Sequence, residues 1–423
     1  MYKVYFKQAW QMLKEDKVIS IITILGTALA ITMIMVIILT QRIKTTNIGE
    51  EVNRERTMYI KYCIEESKDK RSMSSGGVRI REYKQYLERL TVPEKISLNA
   101  KRQRQVYTDG NDIYHMADVK FTDAAFWQIF SFSFREGKPF SEEEFQSGIS
   151  VAVISKSFAL KLFNKTDNVT GNTFIIEGKE FKVIGIVKDV STLCNNAYAQ
   201  IWVPYTSDSM YGNPENRMFG VLLLAKNKSD FSKIKEEVRQ SEIANNPESE
   251  VTDISFLGPF SAEETLLNNY DISNREPDLV KGRLRFYLTL AILLLIPAIN
   301  LSGFSLFKII SRTSEIGIRK AFGADKKTVL MQVLYENFLT SIIGGIIGLA
   351  LSITVINFIK DILLIKEFWV PQPLGENIIP ISALISPWVF LYVFLACILL
   401  NLLSSGIPAW RASRLNIVEA IRS

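Results

Sequence analysis

The sequence predicts a membrane protein with four transmembrane α-helices and a large extracytoplasmic α/β (α+β) domain inserted between spans one and two. Three observations predict it. Mean hydropathy is +0.12 although 22% of residues are charged, so the apolar residues are segregated rather than interspersed. They gather in runs of 22 to 24 residues without a charge, long enough at about 1.5 Å per residue to cross a hydrocarbon core of about 30 Å. Between the first two runs, strand-like and helix-like patterns interleave over 242 residues.

The first run is Val18 to Gln41, 24 residues between Lys17 and Arg42. It exceeds the apolar stretch of a cleaved signal and no A-x-A-like site follows, so an uncleaved anchor is expected. The second is Phe286 to Phe307, the third Asn337 to Ile359, and the fourth is centred on Ile385 to Leu403 within an uncharged stretch from Asn377 to Trp410. A helix uncharged on every face is at home in lipid rather than on a soluble core. The expected layout is an interfacial amphipathic helix at 1–17, spans at 18–41, 284–307, 333–360 and 385–407, the outer domain at 42–283 and a short outer loop at 361–384. Inner segments at 308–332 and 408–423 complete it. Lys and Arg are denser on the stretches assigned inside, which puts both termini in the cytoplasm.

Within 42–283, Val151–Ile154 reads as a strand followed by a helix over Ser155–Phe163. Thr173–Ile176 and Phe181–Val187 read as strands joined by Glu177-Gly178-Lys179, Ile201–Pro204 and Gly220–Ala225 as further strands, and Ser229–Ala244 as an amphipathic helix. Phe121–Phe134 is strongly aromatic, and Asn-Asn-Pro near Asn245 marks a turn.

Catalytic chemistry is scarce. One histidine and three cysteines argue against a disulfide scaffold, a structural zinc site or catalysis that needs two histidines. The single histidine, His115, has no nucleophile-elbow pattern near it, and reads as a surface or partly buried residue. Glu142-Glu143-Glu144 reads as the acidic first turn of a helix capped by Ser141. Cys63 and Cys194 both fall in the outer segment, where they could pair, and Cys397 reads as a packing residue of the fourth span. Neither a Walker A loop nor a Rossmann fingerprint is present, so no cofactor or metal is expected and any nucleotide energy must come from another chain. A net charge of +6, spread along the chain, gives no reason to expect nucleic acid.

The inner segment between spans two and three carries the strongest motif. In Glu315-Ile316-Gly317-Ile318-Arg319-Lys320-Ala321-Phe322-Gly323, the acid stands four residues before Arg319, the favourable order for a helix, and Gly323 suits the position just past its end. The spacing predicts a short docking helix. In the third span, Gly344, Gly345 and Gly348 permit close helix packing, within one chain or between two. In the second, Pro297 and Asn300 mark a candidate hinge.

This inner motif, with the C-terminal Pro408-Ala-Trp-Arg-Ala-Ser-Arg-Leu-Asn-Ile-Val-Glu-Ala-Ile-Arg422, resembles the FtsX/MacB-type ABC transporter permeases. Phe126-Trp-Gln-Ile-Phe-Ser-Phe132, Val151-Ala-Val-Ile-Ser155 and Phe181-Lys-Val-Ile-Gly-Ile-Val-Lys-Asp189 resemble that family's MacB-like periplasmic core domain. The chain departs from the family's habits at Phe322 and Ile417, where Leu and Pro are often found, and carries one permease unit without a fused ATPase. The resemblance implies a non-enzymatic subunit of the cell inner membrane. Two permease units pair as a homodimer or with a homologue, and a dimer of cytoplasmic ABC ATPases binds them. Glu315, Ile316, Gly317, Ile318, Arg319, Lys320, Phe322 and Gly323 form the ATPase-coupling helix. ATP-driven movement then passes through the spans to the outer domains for efflux or lipoprotein handling, with a periplasmic or outer-membrane partner alongside the membrane lipids. The alternatives are a non-transporting envelope sensor or regulator of cell-wall hydrolases on the same scaffold, and a membrane-tethered hydrolase.

Overall fold

The structure is a computed structural model. It describes residues 10–110 apart from Met12 and Asp16, then 113–216, 218–248, 252–268, 276–311, 326–363 and 387–413. Two compact units divide the described chain. Helices α1 (Lys17–Thr45) up to Gln41, α7 (Leu279–Ser311) from Val280, α8 (Lys326–Leu363) and α9 (Pro387–Ser413) form the first, and Arg42–Leu279 forms the second.

The second unit is a mixed α/β domain. Its strands are β1 (Thr57–Ile60), β2 (Tyr62–Ser67), β3 (Met73–Gly76), β4 (Lys95–Tyr107), β5 (His115–Thr122) and β6 (Phe134–Gly137). β7 (Val151–Ser155), β8 (Thr173–Ile176), β9 (Lys179–Val187), β10 (Ile201–Pro204), β11 (Gly220–Leu224) and β12 (Thr252–Leu257) follow. The main sheet runs β1-β11-β4-β5-β10-β7-β9-β6, and β12-β2-β3 forms a small second sheet. β5 with β10 and β7 with β9 are parallel; the other pairs are antiparallel. β8 pairs with both β9 and β4, so β4-β5-β10-β7-β9-β8 closes into a ring of hydrogen-bonded strands. Phe121, Phe174, Phe181, Val183, Ile201 and Val203 of these strands are buried in the apolar core.

Local chemistry explains the elements. β8 and β9 are joined by two residues, Glu177 at φ 47° and Gly178 at φ 86°, with Ile176 paired to Lys179. Two consecutive left-handed residues match the twist of the strands they connect, so Lys179, expected in the turn, is already in the strand. Ser155 caps α4 (Lys156–Phe163) by accepting from Phe158 N, and Asn164 ends it at φ 55°. Phe158, Ala159 and Leu162 make its buried stripe. Ser141 and Glu144 form a reciprocal capping box on α3 (Glu142–Gln146), with Ser141 Oγ accepting from Glu144 N and Glu144 Oε2 accepting from Ser141 N. The three acids therefore stand in a helix's first turn. α5 (Phe231–Asn245) buries Ile234 and Val238, one turn apart, and its Glu237 accepts from Thr91 N and Val92 N at 2.7 and 3.1 Å; the short α6 (Ala262–Asn268) follows β12.

β5 departs from the usual strand pattern. Ala117, Val119 and Phe121 belong to the core, and the alternate set, Asp118, Lys120 and Thr122, is buried as well. Polar residues at alternate positions ordinarily face water. Here the segment 191–200 covers Asp118 and Lys120, and Tyr198 Oη donates to Asp118 Oδ2 at 2.8 Å.

In the first unit, helices cover the first three apolar runs and the fourth from Pro387. Lys17–Thr45 and Val333–Phe358 are, among the described residues, long and apolar enough to cross a membrane. α7 is continuous through Pro297, and α9 is continuous through Pro408 to Ser413. Pro387 stands at the first position of α9, where a missing N–H costs nothing. Threonine hydroxyls in α1 turn back on their own helix: Thr23 Oγ1 donates to Ile19 O at 2.7 Å and Thr27 Oγ1 to Thr23 O at 2.9 Å. That removes an unpaired donor from an apolar surrounding.

Asp123 ties β4 to α2 (Phe126–Ile129). Its carboxylate accepts from Ser97 Oγ and Leu98 N at 2.7 Å and from Phe126 N at 3.1 Å. Burial pushes its acid up to about 6 from 3.8, against the pull of those hydrogen bonds. The folded value lies above the unfolded one, so the stability this group contributes is complete below about pH 4 and is lost as pH rises through about 6. The loss is roughly 3 kcal/mol. Asp123→Asn abolishes the titration. The stability difference between wild type and variant, from unfolding of the purified chain, should shrink by up to that amount between about pH 4 and about pH 6.5. A difference that stays constant would contradict the raised acid.

Candidate functional site: the glycine seam and the junction node

No group of three or more His, Cys, Asp or Glu side chains suited to a metal occurs among the described residues. His115 opens β5 opposite Val106, and burial together with the Lys161 charge holds its imidazole below the usual range. Cys63, Cys194 and Cys397 are buried and none is in a disulfide, so the pairing considered for Cys63 and Cys194 is not present. Two other constellations carry the geometry.

The first is a seam between α1 and α8. A Cβ placed on Gly344 would stand 2.8 Å from Thr27 Cβ and 2.9 Å from Ile24 O; one on Gly348 would stand 2.6 Å from Ala28 O and 2.9 Å from Ile31 Cβ. These are closer than real Cβ atoms approach, so the two backbones touch because no side chain intervenes. Thr32 Oγ1 crosses the seam, donating to Gly348 O at 3.1 Å as well as to Ala28 O at 2.8 Å. Gly345 faces α9 instead, with Phe394 Cε2 2.3 Å from where its Cβ would be. Two of the three glycines thus pack within one chain against the first helix, and the third against the last. At the start of the same run, Glu336 and Asn337 are buried, and Asn337 O accepts from Thr340 Oγ1 at 2.9 Å and Ser341 Oγ at 2.7 Å.

The second is a node where α1 ends. Its last turn, from Arg42, belongs to the domain unit. Arg54 is 4% exposed and Glu51 fully buried. Arg54 Nε donates to Glu51 Oε2 at 2.7 Å, Nη1 to Ile43 O at 2.5 Å and Nη2 to Leu193 O at 2.8 Å. Glu51 Oε1 accepts from Asn196 N and Ala197 N at 2.7 and 3.1 Å. Burial disfavours the guanidinium charge, but Glu51 beside it holds Arg54 above the ordinary arginine range. The same segment is fastened to the sheet. Lys120 Nζ donates to Asn196 O, Trp202 Nε1 donates to Ala197 O at 3.0 Å, and Gln200 N donates to Asp118 O at 2.9 Å. Lys101 stands over the Tyr198 ring at 5.0 Å, and burial lowers its ammonium, with Asp118 opposing.

The node was not among the sequence-read candidates. The available signal was an acid and a base at i,i+3, Glu51 and Arg54, in the segment just after α1. The residues Glu315, Ile316, Gly317, Ile318, Arg319, Lys320, Phe322 and Gly323 lie outside the described residues, as do 1–9, 364–386 and 414–423. Pro297 and Asn300 lie within α7, with their side chains outside the described ones.

Two family models match the chain one after the other, the first taking in most of α1 as well as most of the domain. The MacB-like periplasmic core domain matches residues 20–241, and the FtsX-like permease C-terminal domain matches residues 287–417. The chain belongs to the FtsX/MacB-type ABC transporter permeases. This permease is 22% identical over 423 residues to the macrolide export ATP-binding/permease protein MacB of Photorhabdus laumondii. The match covers 98% of this chain and 60% of that protein, so the permease spans less than two thirds of that relative. It is 26% identical over 318 residues to the ABC transporter permease YknZ of Bacillus subtilis, covering 72% of this chain and 70% of that one. The solved periplasmic region of MacB from Actinobacillus actinomycetemcomitans aligns over 49% of this chain and 90% of its own, at 14% identity and a TM-score of 0.37.

The permease's seam makes a ranked prediction. Gly348→Ala drives a methyl into the Ala28 backbone, which cannot step aside, at a cost of about 1–3 kcal/mol. Gly345→Ala meets only the edge of the Phe394 ring, which can turn. Thermal unfolding of the detergent-solubilised chain should fall further for Gly348→Ala than for Gly345→Ala. The opposite order would show that α8 does not lean on α1 through Gly348.

Proposed function

We propose that the chain is the permease subunit of an ABC transporter of the mechanotransmission type. It spans the cell inner membrane four times through α1, α7, α8 and α9, with both termini cytoplasmic and the domain outside. One observation carries the reading: the core-domain and permease models match one chain in order, with the domain between two apolar helices. The runs Val18–Gln41, Phe286–Phe307 and Asn337–Ile359 contain no Asp, Glu, Lys, Arg or His. Such helices offer no polar path for an ion or a solute, which favours a lever over a tunnel. Energy then comes from a separate cytoplasmic ATPase, docked on Glu315–Gly323 and working with a second permease unit. The movement serves efflux or the handling of envelope lipoproteins.

Affinity purification of the tagged chain from its native host, followed by mass spectrometry and an ATPase assay, tests this. An ABC ATPase should co-purify. Arg319→Glu with Lys320→Glu should lower its recovery and the permease-dependent hydrolysis at least about tenfold, the scale of removing charge-assisted contacts, with membrane insertion unchanged. Coupling that survives the double reversal removes the assignment of the docking helix. Recovery of envelope proteins without any ATPase favours the sensor reading.

A further inference from the structure

We infer that Arg54, held by Glu51, is the residue that locks the outer end of α1 to the domain, so that displacement of the helix is handed to the sheet without slack. The inference rests on the mechanical reading above and deepens it.

The last carbonyls of a helix have no partner within the helix and carry partial negative charge. At the end of α1, Arg42 O is met by Thr46 N at 2.8 Å and Thr46 Oγ1 at 2.9 Å, and Ile43 O by the Arg54 guanidinium. The other two guanidinium nitrogens reach Glu51 and Leu193 O, so one rigid plane touches the helix end, the following turn and the covering segment. An ammonium cannot do this, because it is a point charge on a flexible stem.

The chain between the helix and Arg54 is folded rather than free. Ile48 is buried and bridges to Glu51, with Glu51 N donating to Ile48 O at 2.9 Å. Gly49 turns the chain at φ +50°, and a Cβ there would stand 2.9 Å from Cys194 Sγ. The Cys194 thiol donates to Ile48 O at 3.4 Å, and Asn47 Oδ1 accepts from Glu55 N at 2.9 Å. Beyond Leu193 the path continues through Asn196 and Ala197 to Lys120 on β5 and Trp202 on β10. Apart from the exposed Asn47–Glu55 bond, the links are hydrogen bonds between buried or half-buried groups. A span that ended in a flexible linker would dissipate the same displacement.

The test uses the full chain in lipid nanodiscs, without nucleotide or ATPase. Spin labels on genetically encoded residues replace the exposed Lys44, in the last turn of α1, and the exposed Lys188, just after β9. A control pair replaces the exposed Lys161 and Lys226 within the domain. The Lys44–Lys188 distance distribution should be narrow in wild type and at least about twofold broader in Arg54→Lys, which keeps the charge but not the fork, with the control pair unchanged. An unchanged width overturns the inference. Should Arg54→Lys also broaden the control pair, hydrogen exchange of the unmutated chain decides. The Thr46 and Asn196 amides should exchange together with those of β10, and exchange of Thr46 more than about a hundredfold faster, a separately opening unit, overturns the inference. A tight joint in a chain that recruits no ATPase would leave this inference standing and sink the mechanical reading. A loose joint in a chain that does recruit one would do the reverse.

Discussion

Every buried backbone N–H and C=O must find a partner where water is excluded, and that constraint is met in three ways along this chain. In the apolar helices the ladder is internal, and the threonines of α1 turn their hydroxyls onto their own carbonyls. In the domain the partners come from strand pairing, and β8 closes a ring so that β4 and β9 are not left with open edges there. Neither solution reaches the last turn of a helix as it passes from one setting to the other, where carbonyls face forward with no residue to follow. Arg54 supplies the donor for one of them, Ile43 O. A buried ion pair is weak evidence for stability, since desolvation cancels much of the attraction, yet leaving one partner alone costs about 3–5 kcal/mol. The pair is therefore best understood by what it holds together.

The glycines of α8 answer a related problem. Lipid tails are as apolar as leucine, so helices in such surroundings gain little from hiding apolar surface and must associate through close contact. Gly344 and Gly348 bring two backbones within reach, and the Thr32 hydroxyl bonds to a carbonyl on the facing helix. A small residue every fourth position is compatible with dimerisation or with packing inside one chain, and the sequence pattern is the same for both. The contacts at Thr27, Ala28 and Ile31 place these two glycines inside one chain.

The sequence disclosed the elements whose residues pattern cleanly. The long apolar runs, the strand at Val151, the Ser155-capped helix and the hairpin around Gly178 all carry local chemistry that admits one reading. β4 was not legible, because its second half, Lys101 to Gln105, is polar at consecutive positions and loses the period of two. β5 hid its role differently. Asp118 and Lys120 look like a solvent face, and only the covering segment, distant in sequence, buries them. The node failed for the same reason: Glu51 and Arg54 are ordinary charges until residues 193–197 close over them. Local pattern reports what a residue prefers, whereas long-range contacts decide where its charge ends up.

On the mechanical reading proposed above, this asymmetry bears on how a lever can be encoded. A catalytic centre gathers rare residues whose types betray them, but a force-bearing joint needs only common ones, bonded in a chain with no compliant link. Here a helix without ionisable residues from Val18 to Gln41 runs into a folded turn at Ile48–Glu51, and from there through Arg54 to a segment seated on β5 and β10. A glutamate, an arginine and a pair of main-chain carbonyls suffice, and their separation of 139 residues between Arg54 and Leu193 keeps the connection invisible until the chain is folded. On the mechanical reading, the stiffness of that path and the docking helix are the features that matter. The face that meets cargo is then free to vary over the same frame.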